Sequence, residues 1–252
     1  MNEVYESIGA TYNATRCADP RLERAIWSAL EGCGSVLNVG AGTGAYEPAD
    51  RAVVAVEPSA TMRRARPEGS APCVAACAES LPFDDSSFDA AMAILTVHHW
   101  GDYRTGLHEL RRVARRRVIV VHWDQAVMDR LWLAEYFPEA FAFDRWRGPS
   151  LEDVCATLGP GIDVVPWPVP HDCQDGFGGA YWRRPGAYLD QSVRAGISML
   201  AQTDHERGDG LERLQRDLSD GTWAARHHAL MNQAELDCGY RIVVGLTGAR
   251  AE

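Results

Sequence analysis

The stretch that most limits what this chain can fold into is Val36-Leu37-Asn38-Val39-Gly40-Ala41-Gly42-Thr43-Gly44. It reads as a short apolar strand that runs into a loop with glycine at every second position. Such a loop turns sharply at a strand end and takes positive φ without a Cβ penalty. It also presents bare backbone, so a ligand can approach where no side chain stands. The pattern predicts a cradle for a nucleotide-like cofactor at the end of a sheet strand.

The flanking chain supplies the sheet. Pro20 opens a helix that continues through Leu22, Ala25, Ile26 and Leu30 at helical spacing and stops at Gly32 and Gly34. Ala52–Glu57 is a second strand ending in an acid, and Ser59 caps a helix through about Arg66. A short third strand falls near Cys73–Cys77. Phe88–Val97 is an apolar run long enough for a central strand buried on both faces. Asp102–Val113 reads as a helix and Val118–Val121 as another buried strand. Strands alternating with helices predict an α/β chain with a parallel sheet. Beyond residue 123 the pattern changes to an aromatic-rich stretch, a helix over 150–158 and a proline-bearing edge strand over 162–169. Residues 171–235 are loop-rich and helical, and Tyr240–Leu246 closes the chain as a strand.

Composition removes several function classes. The net charge of -10 disfavours nucleic acid, which wants a basic surface. The basic run Arg111–Arg117 reads as a helix end followed by a strand start. All 25 basic residues are arginine, which excludes Schiff-base chemistry and a lysine general base. Seven cysteines are scattered without a CxxC pair, and no ligand spacing suggests a metal site. No apolar run reaches membrane-span length, and the polar N-terminus lacks a secretory pattern, so a cytoplasmic protein with reduced thiols is expected.

The glycine loop alone does not choose its cofactor. Gly40-x-Gly42-x-x-Ala45 with Glu57 downstream also satisfies a dinucleotide fingerprint, which keeps an NAD(P)-dependent oxidoreductase as an alternative. Pro48, however, follows too soon for the long helix whose N-terminus would face a pyrophosphate. A cofactor without phosphates has no need of that helix.

Four segments carry a family resemblance. Val36–Gly44 resembles the first motif of class I S-adenosylmethionine-dependent methyltransferases, and Val53–Met62 resembles their second. Ala78–Asp89 resembles the segment leading into their fourth strand. Leu95-Thr96-Val97-His98-His99-Trp100-Gly101-Asp102 resembles the post-strand motif of the branch related to ubiquinone and menaquinone methyltransferases. The resemblance implies a single domain over 1–252 with a Rossmann-like core (34–170 and 236–250). Its sheet would be mostly parallel, with helices on both faces and an antiparallel last strand. An N-terminal cap (1–33) and a helical lid insertion (171–235) would complete it.

The implied cofactor is S-adenosylmethionine. Gly40, Gly42 and Gly44 would pass under its methionine and ribose parts, with Asn38, Pro58 and Thr96 beside them. Glu57 would bind the ribose hydroxyls, and Ala78 and Glu79 would lie beside the adenine. Tyr12 and Arg16 would close over the methionine carboxylate, which a guanidinium suits. Two positions depart from the family pattern: Asn38 stands where an acid is usual, and an acid near Cys77 is missing. They motivate a third reading, a protein that binds the cofactor without methylating.

For the chemistry, His98 and His99 end the fourth strand, where a base is wanted, and His171 in His171-Asp172-Cys173-Gln174-Asp175 opens the lid. Trp132, Tyr136, Phe137, Phe177, Tyr181 and Trp182 read either as core or, because they fall where the family places its acceptor, as some of the lining of an apolar substrate site. The expected partner is therefore a small, flat, apolar acceptor such as a secondary metabolite, with no nucleic acid and no membrane. Whether oxygen, nitrogen, carbon or sulfur is methylated stays open, as does the oligomeric state.

Overall fold

The computed structural model describes residues 16–203 and 208–247. Seven strands form one sheet in the order β3-β2-β1-β4-β5-β9-β6. These are β1 (Ser35–Val39), β2 (Ala52–Val56), β3 (Cys73–Val74), β4 (Phe88–Ile94), β5 (Ala114–Trp123), β6 (Ile162–Pro166) and β9 (Tyr240–Leu246). The neighbours from β3 to β5 pair parallel. The last strand, β9, inserts antiparallel between β5 and β6, with Trp123 opposite Tyr240 and Pro166 opposite Arg241. The mostly parallel Rossmann-like sheet with one antiparallel strand is thus as expected. Strand order reverses between β1 and β4, which opens a crevice beyond their carboxyl ends.

Local chemistry sets the helix ends. Asp19, Ser59 and Asp102 each cap the following helix, Pro20–Ala29, Ala60–Arg64 and Tyr103–Val113, by accepting from its first backbone N–H groups. Ser150 and Asp153 form a reciprocal capping box on Leu151–Leu158. The basic run straddles a helix end at Val113 and a strand start at Ala114. Helices cover both faces. Leu22 and Ile26 pack on one side of the sheet, and Leu107, Leu110, Val154 and Leu158 on the other.

Several boundaries differ from the sequence reading, among them that of β5, which runs over Ala114–Trp123 rather than Val118–Val121. β4 stops at Ile94 rather than Val97, because Leu95 takes φ +52° and Val97–His99 winds into a short 3₁₀ turn. The third strand is only two residues long. The expected edge strand over 162–169 breaks after Pro166. Val169–Pro170 (β7) instead pairs with Glu235–Leu236 (β8) in a separate ribbon, so the residues between leave and return at one point. Trp132, Tyr136, Phe137 and Trp182 are buried core rather than cavity wall. Trp132 Nε1 donates to the Trp182 carbonyl at 2.8 Å, and its ring meets those of Tyr188 and Trp223 edge-on. No helix among the described residues is long and apolar enough to cross a membrane.

Candidate active site

The glycine loop is held from behind. Gly40 N and Ala41 N donate to the Val56 carbonyl at 2.8 and 3.0 Å, tying the loop to the end of β2. Gly40 has φ +69°, and a Cβ there would lie within 3.0 Å of the Thr96 Cβ, inside that side chain. Gly42, at φ +54°, faces the opposite situation, with no atom within 4 Å of the place a Cβ would take. Glu57 sits beneath it. One carboxylate oxygen accepts from Gly42 N and the other from Ser59 N, both at 2.8 Å. Burial pushes the Glu57 carboxyl above its ordinary range, against the two backbone N–H groups that favour its charge.

These residues form one wall of a cleft of about 1410 Å³, counting its open mouth. Arg16, Asn38, Gly40, Gly42, Glu57, Pro58, Ala78, Glu79 and Thr96 all line it. Gly44 does not; the place of its Cβ lies 3.1 Å from an Arg66 guanidinium nitrogen, so its φ of +93° serves the turn. Tyr12 lies outside the described residues. Glu79 has a local duty, accepting from Gly101 N at 2.7 Å and Asp102 N at 3.1 Å. Asn38 donates to Glu47 at 3.0 Å, and Glu47 pairs with buried Arg66 at 2.7 Å. An acid at position 38 would set two carboxylates against each other, so the amide there fits its neighbour.

A second, smaller cavity, of about 620 Å³ counting the open space at its mouth, adjoins the first and shares Arg16, Leu95 and His99 with it. His98, Trp123, Phe177 and Tyr240 supply its rings, and Met128 and Met199 further apolar wall. The His98 ring packs 3.7 Å from that of His99 and 4.7 Å from Trp123. Burial holds His98 and His99 well below the ordinary histidine range, and the Arg147 cation lowers both further. Arg147 contacts His99 Nδ1, and a guanidinium can only donate. With the guanidinium donating to Nδ1, a neutral His99 would carry its proton on Nε2. His98 Nδ1 is buried with no hydrogen-bond partner among the described residues.

His171 lines neither cavity, and the segment it opens is a fastening. Arg21 bridges Asp19 and Asp172 at 2.7 Å each, and Gln174 N donates to Asp19 at 3.0 Å. Buried Asp175 accepts from Arg16 at 2.6 Å and from the Tyr46 hydroxyl at 2.7 Å. This network pins residues 172–175 to the chain entering the first helix, beside the large cleft.

Sequence reasoning missed Tyr46 and Asp144, and it placed Asp175 in a possible acid–base segment rather than in this network. Asp144 lines the second cavity at only 6% exposure. Its signal was helical phase: within Pro138–Arg147 it follows Ala140 and Phe141 on the buried stripe, while Trp146 is 83% exposed.

A model of the methyltransferase domain matches residues 37–121, from β1 through β5. The solved structure of a protein assigned as a methyltransferase of an antibiotic biosynthesis pathway, from Anabaena variabilis, is similar along nearly all of the chain. It is 32% identical with a TM-score of 0.85, over 92% of this chain and 98% of that one. An S-adenosylmethionine-dependent methyltransferase of Thermotoga maritima shares the fold at 17% identity and TM-score 0.61, over 98% and 100% of the two chains. The cyclase SpnF shares it too, at 15% identity and TM-score 0.53, over 96% and 92%. No match was found among curated protein sequences.

Proposed function

Since the chain belongs to the class I S-adenosylmethionine-dependent methyltransferases, with S-adenosylmethionine as cofactor, we propose that it methylates a small-molecule acceptor held in the second cavity. The observation that carries this reading is the pair of adjoining cavities with Arg16, Leu95 and His99 at their junction. The larger fits the cofactor. The space over Gly42 admits a ligand against backbone, and Glu57 offers a buried carboxylate to ribose hydroxyls. Ala78 gives a flat apolar wall beside the adenine, and Arg16 stands where a carboxylate would approach.

When bound, S-adenosylmethionine supplies a methyl group already activated by its sulfonium charge. The residues then have to align the acceptor and keep water out, and holding two reactants in line lowers the barrier of such a displacement. His99 presents an N–H, so it orients a lone pair of the acceptor rather than taking a proton. His98, neutral and packed between His99 and Trp123, contacts the acceptor from the end of β4. Residues 171–235 act as a lid within a single domain, contributing Phe177, Ile197 and Met199 to the acceptor wall. A secondary-metabolite acceptor is supported by the pathway assignment of the Anabaena variabilis relative.

The test has two parts. Calorimetric titration of purified protein should give saturable binding of S-adenosylmethionine and of its demethylated product, and none of NAD. Incubation of the protein and cofactor with fractionated small-molecule extracts should then release S-adenosylhomocysteine with one extract component gaining 14 Da, the roughly expected mass of an added CH₂. Tight binding with no demethylated cofactor formed in any fraction would refute methyl transfer while leaving the cofactor site standing.

A further inference from the structure

Asp144 is the one buried acid that lines the acceptor cavity among the described residues. It projects from the helix Pro138–Arg147, on the stripe that otherwise buries Ala140 and Phe141. Its surroundings among the described residues act on its carboxylate through burial and the charges of Arg147 and Asp129, with no hydrogen bond among them. Several charged or titratable groups surround it. Arg147 lies one turn ahead on the same helix and contacts His99, and Asp129 is held by Arg145 at 2.8 Å. His98 and His99 face the cavity after β4, Tyr240 from β9 and Arg16 from the N-terminal side. None of them satisfies the carboxylate. An unpaired carboxylate in a protein interior is costly and is kept where something else completes it.

The rest of the cavity says what that something carries. Phe177 and Tyr240 pack with ring centroids 4.4 Å apart, and with Trp123 they present aromatic surface. We propose that Asp144 is the acceptor-binding residue of this cavity, and that the acceptor is a ring-bearing molecule presenting to it a hydrogen-bond donor, an amine or a hydroxyl. This rests on the second cavity being the acceptor site. Burial pushes the Asp144 carboxyl up to about 7, with Arg147 drawing it back and Asp129 adding to the rise. A donor that enters would stabilise the ionised form.

Binding of small probes tests the assignment without knowledge of the natural acceptor. Phenethylamine, 2-phenylethanol and phenethyl methyl ether are titrated by ligand-observed NMR, with and without saturating S-adenosylhomocysteine. The amine or the alcohol should bind roughly tenfold more tightly than the donor-free ether, the effect of one hydrogen bond to a charged group. The stronger of the two identifies a cationic or a neutral donor. In Asp144→Ala the preference should fall to within about twofold, the loss expected when that bond is removed. Asp144→Ser is the second variant, and melting curves establish that each is folded. Equal binding of ether and donors to the wild type, a preference that survives in both variants, or no binding of any probe would overturn the proposal. Failure of S-adenosylhomocysteine to bind would instead overturn the cofactor reading, because the probes are also scored on protein without it.

Discussion

Replacing Asp144 by asparagine should stabilise the protein, and by an amount that depends on pH in a definite direction. Burial raises the folded-state pKa from the usual 3.8 to about 7. Between those values the folded protein holds a proton that the unfolded chain has released, so stability falls as pH rises through the interval and levels off above it. The full cost is about 3 pK units, or ~4 kcal/mol, and water entering the cavity reduces it, so ~2–4 kcal/mol is expected at pH 8. Asparagine keeps the shape, and its own buried amide adds a cost that does not change with pH. The difference between variant and wild type isolates the carboxyl. For a chain of this length each kcal/mol moves the melting temperature by roughly 2–4 °C. Urea and thermal melts of both proteins in roughly half-unit steps from about pH 4.5 to about 8.5, across the upper part of that interval and past its end, should show the variant's advantage opening with pH. An advantage that is flat with pH, or a variant less stable at pH 8, would refute the burial argument and remove the main reason to regard Asp144 as waiting for a ligand.

Other expected outcomes bear on the two cavities and the fastening between them. Gly42→Arg should abolish S-adenosylmethionine binding by filling open space, and unchanged calorimetric affinity would move the cofactor elsewhere. Glu57→Gln should weaken that binding by about tenfold or more, the loss of hydrogen bonds to a charged group, while the fold persists. His122 is buried, donates to the Pro149 carbonyl at 2.9 Å and is lowered by burial to about 4. Its folded pKa lies below the unfolded one, so it contributes stability that is lost as pH falls below about 6.5. Wild type should therefore lose up to ~3 kcal/mol more than His122→Phe between pH 7 and pH 4, read by urea melts. Asp175→Ala should cost roughly 3 kcal/mol by leaving Arg16 and Tyr46 without their shared acceptor, and should speed proteolysis between residues 171 and 177.

The sheet and its cofactor end were legible because their signals are local. Continuous apolar runs gave β1, β2, β4 and β5, Pro20 and Ser59 marked two helix starts, and the glycines with Glu57 gave the crevice at the strand reversal. The acceptor side was not legible because its signals are relational. Nothing local in Phe143-Asp144-Arg145-Trp146 sets Asp144 apart, and the helix phase, which turns Trp146 outward and Asp144 inward, is what reveals it. His171-Asp172-Cys173-Gln174-Asp175 looks like acid–base chemistry in sequence. Its partners, Arg16, Asp19, Arg21 and Tyr46, lie more than a hundred residues away in the chain, and they make it structural. The aromatic residues of the 123–188 region were ambiguous because a core and a ring-binding pocket use the same side chains. Their contacts with one another assign most of them to the core.

Gly40 and Gly42 lie two residues apart in one motif, yet they answer to different pressures. Gly40 is locked by Thr96, which belongs to the protein, so a descendant that abandoned its cofactor would still have to keep that glycine to fold. Gly42 shares the strain a positive φ puts on any side chain, but it borders open space, so its further constraint comes from outside, from whatever molecule occupies that space. Along a lineage drifting away from cofactor use, position 42 should fill first while position 40 stays unchanged. For chains carrying this loop, a side chain at the second glycine is therefore the earlier record of a lost ligand, and a retained first glycine is no record of a kept one.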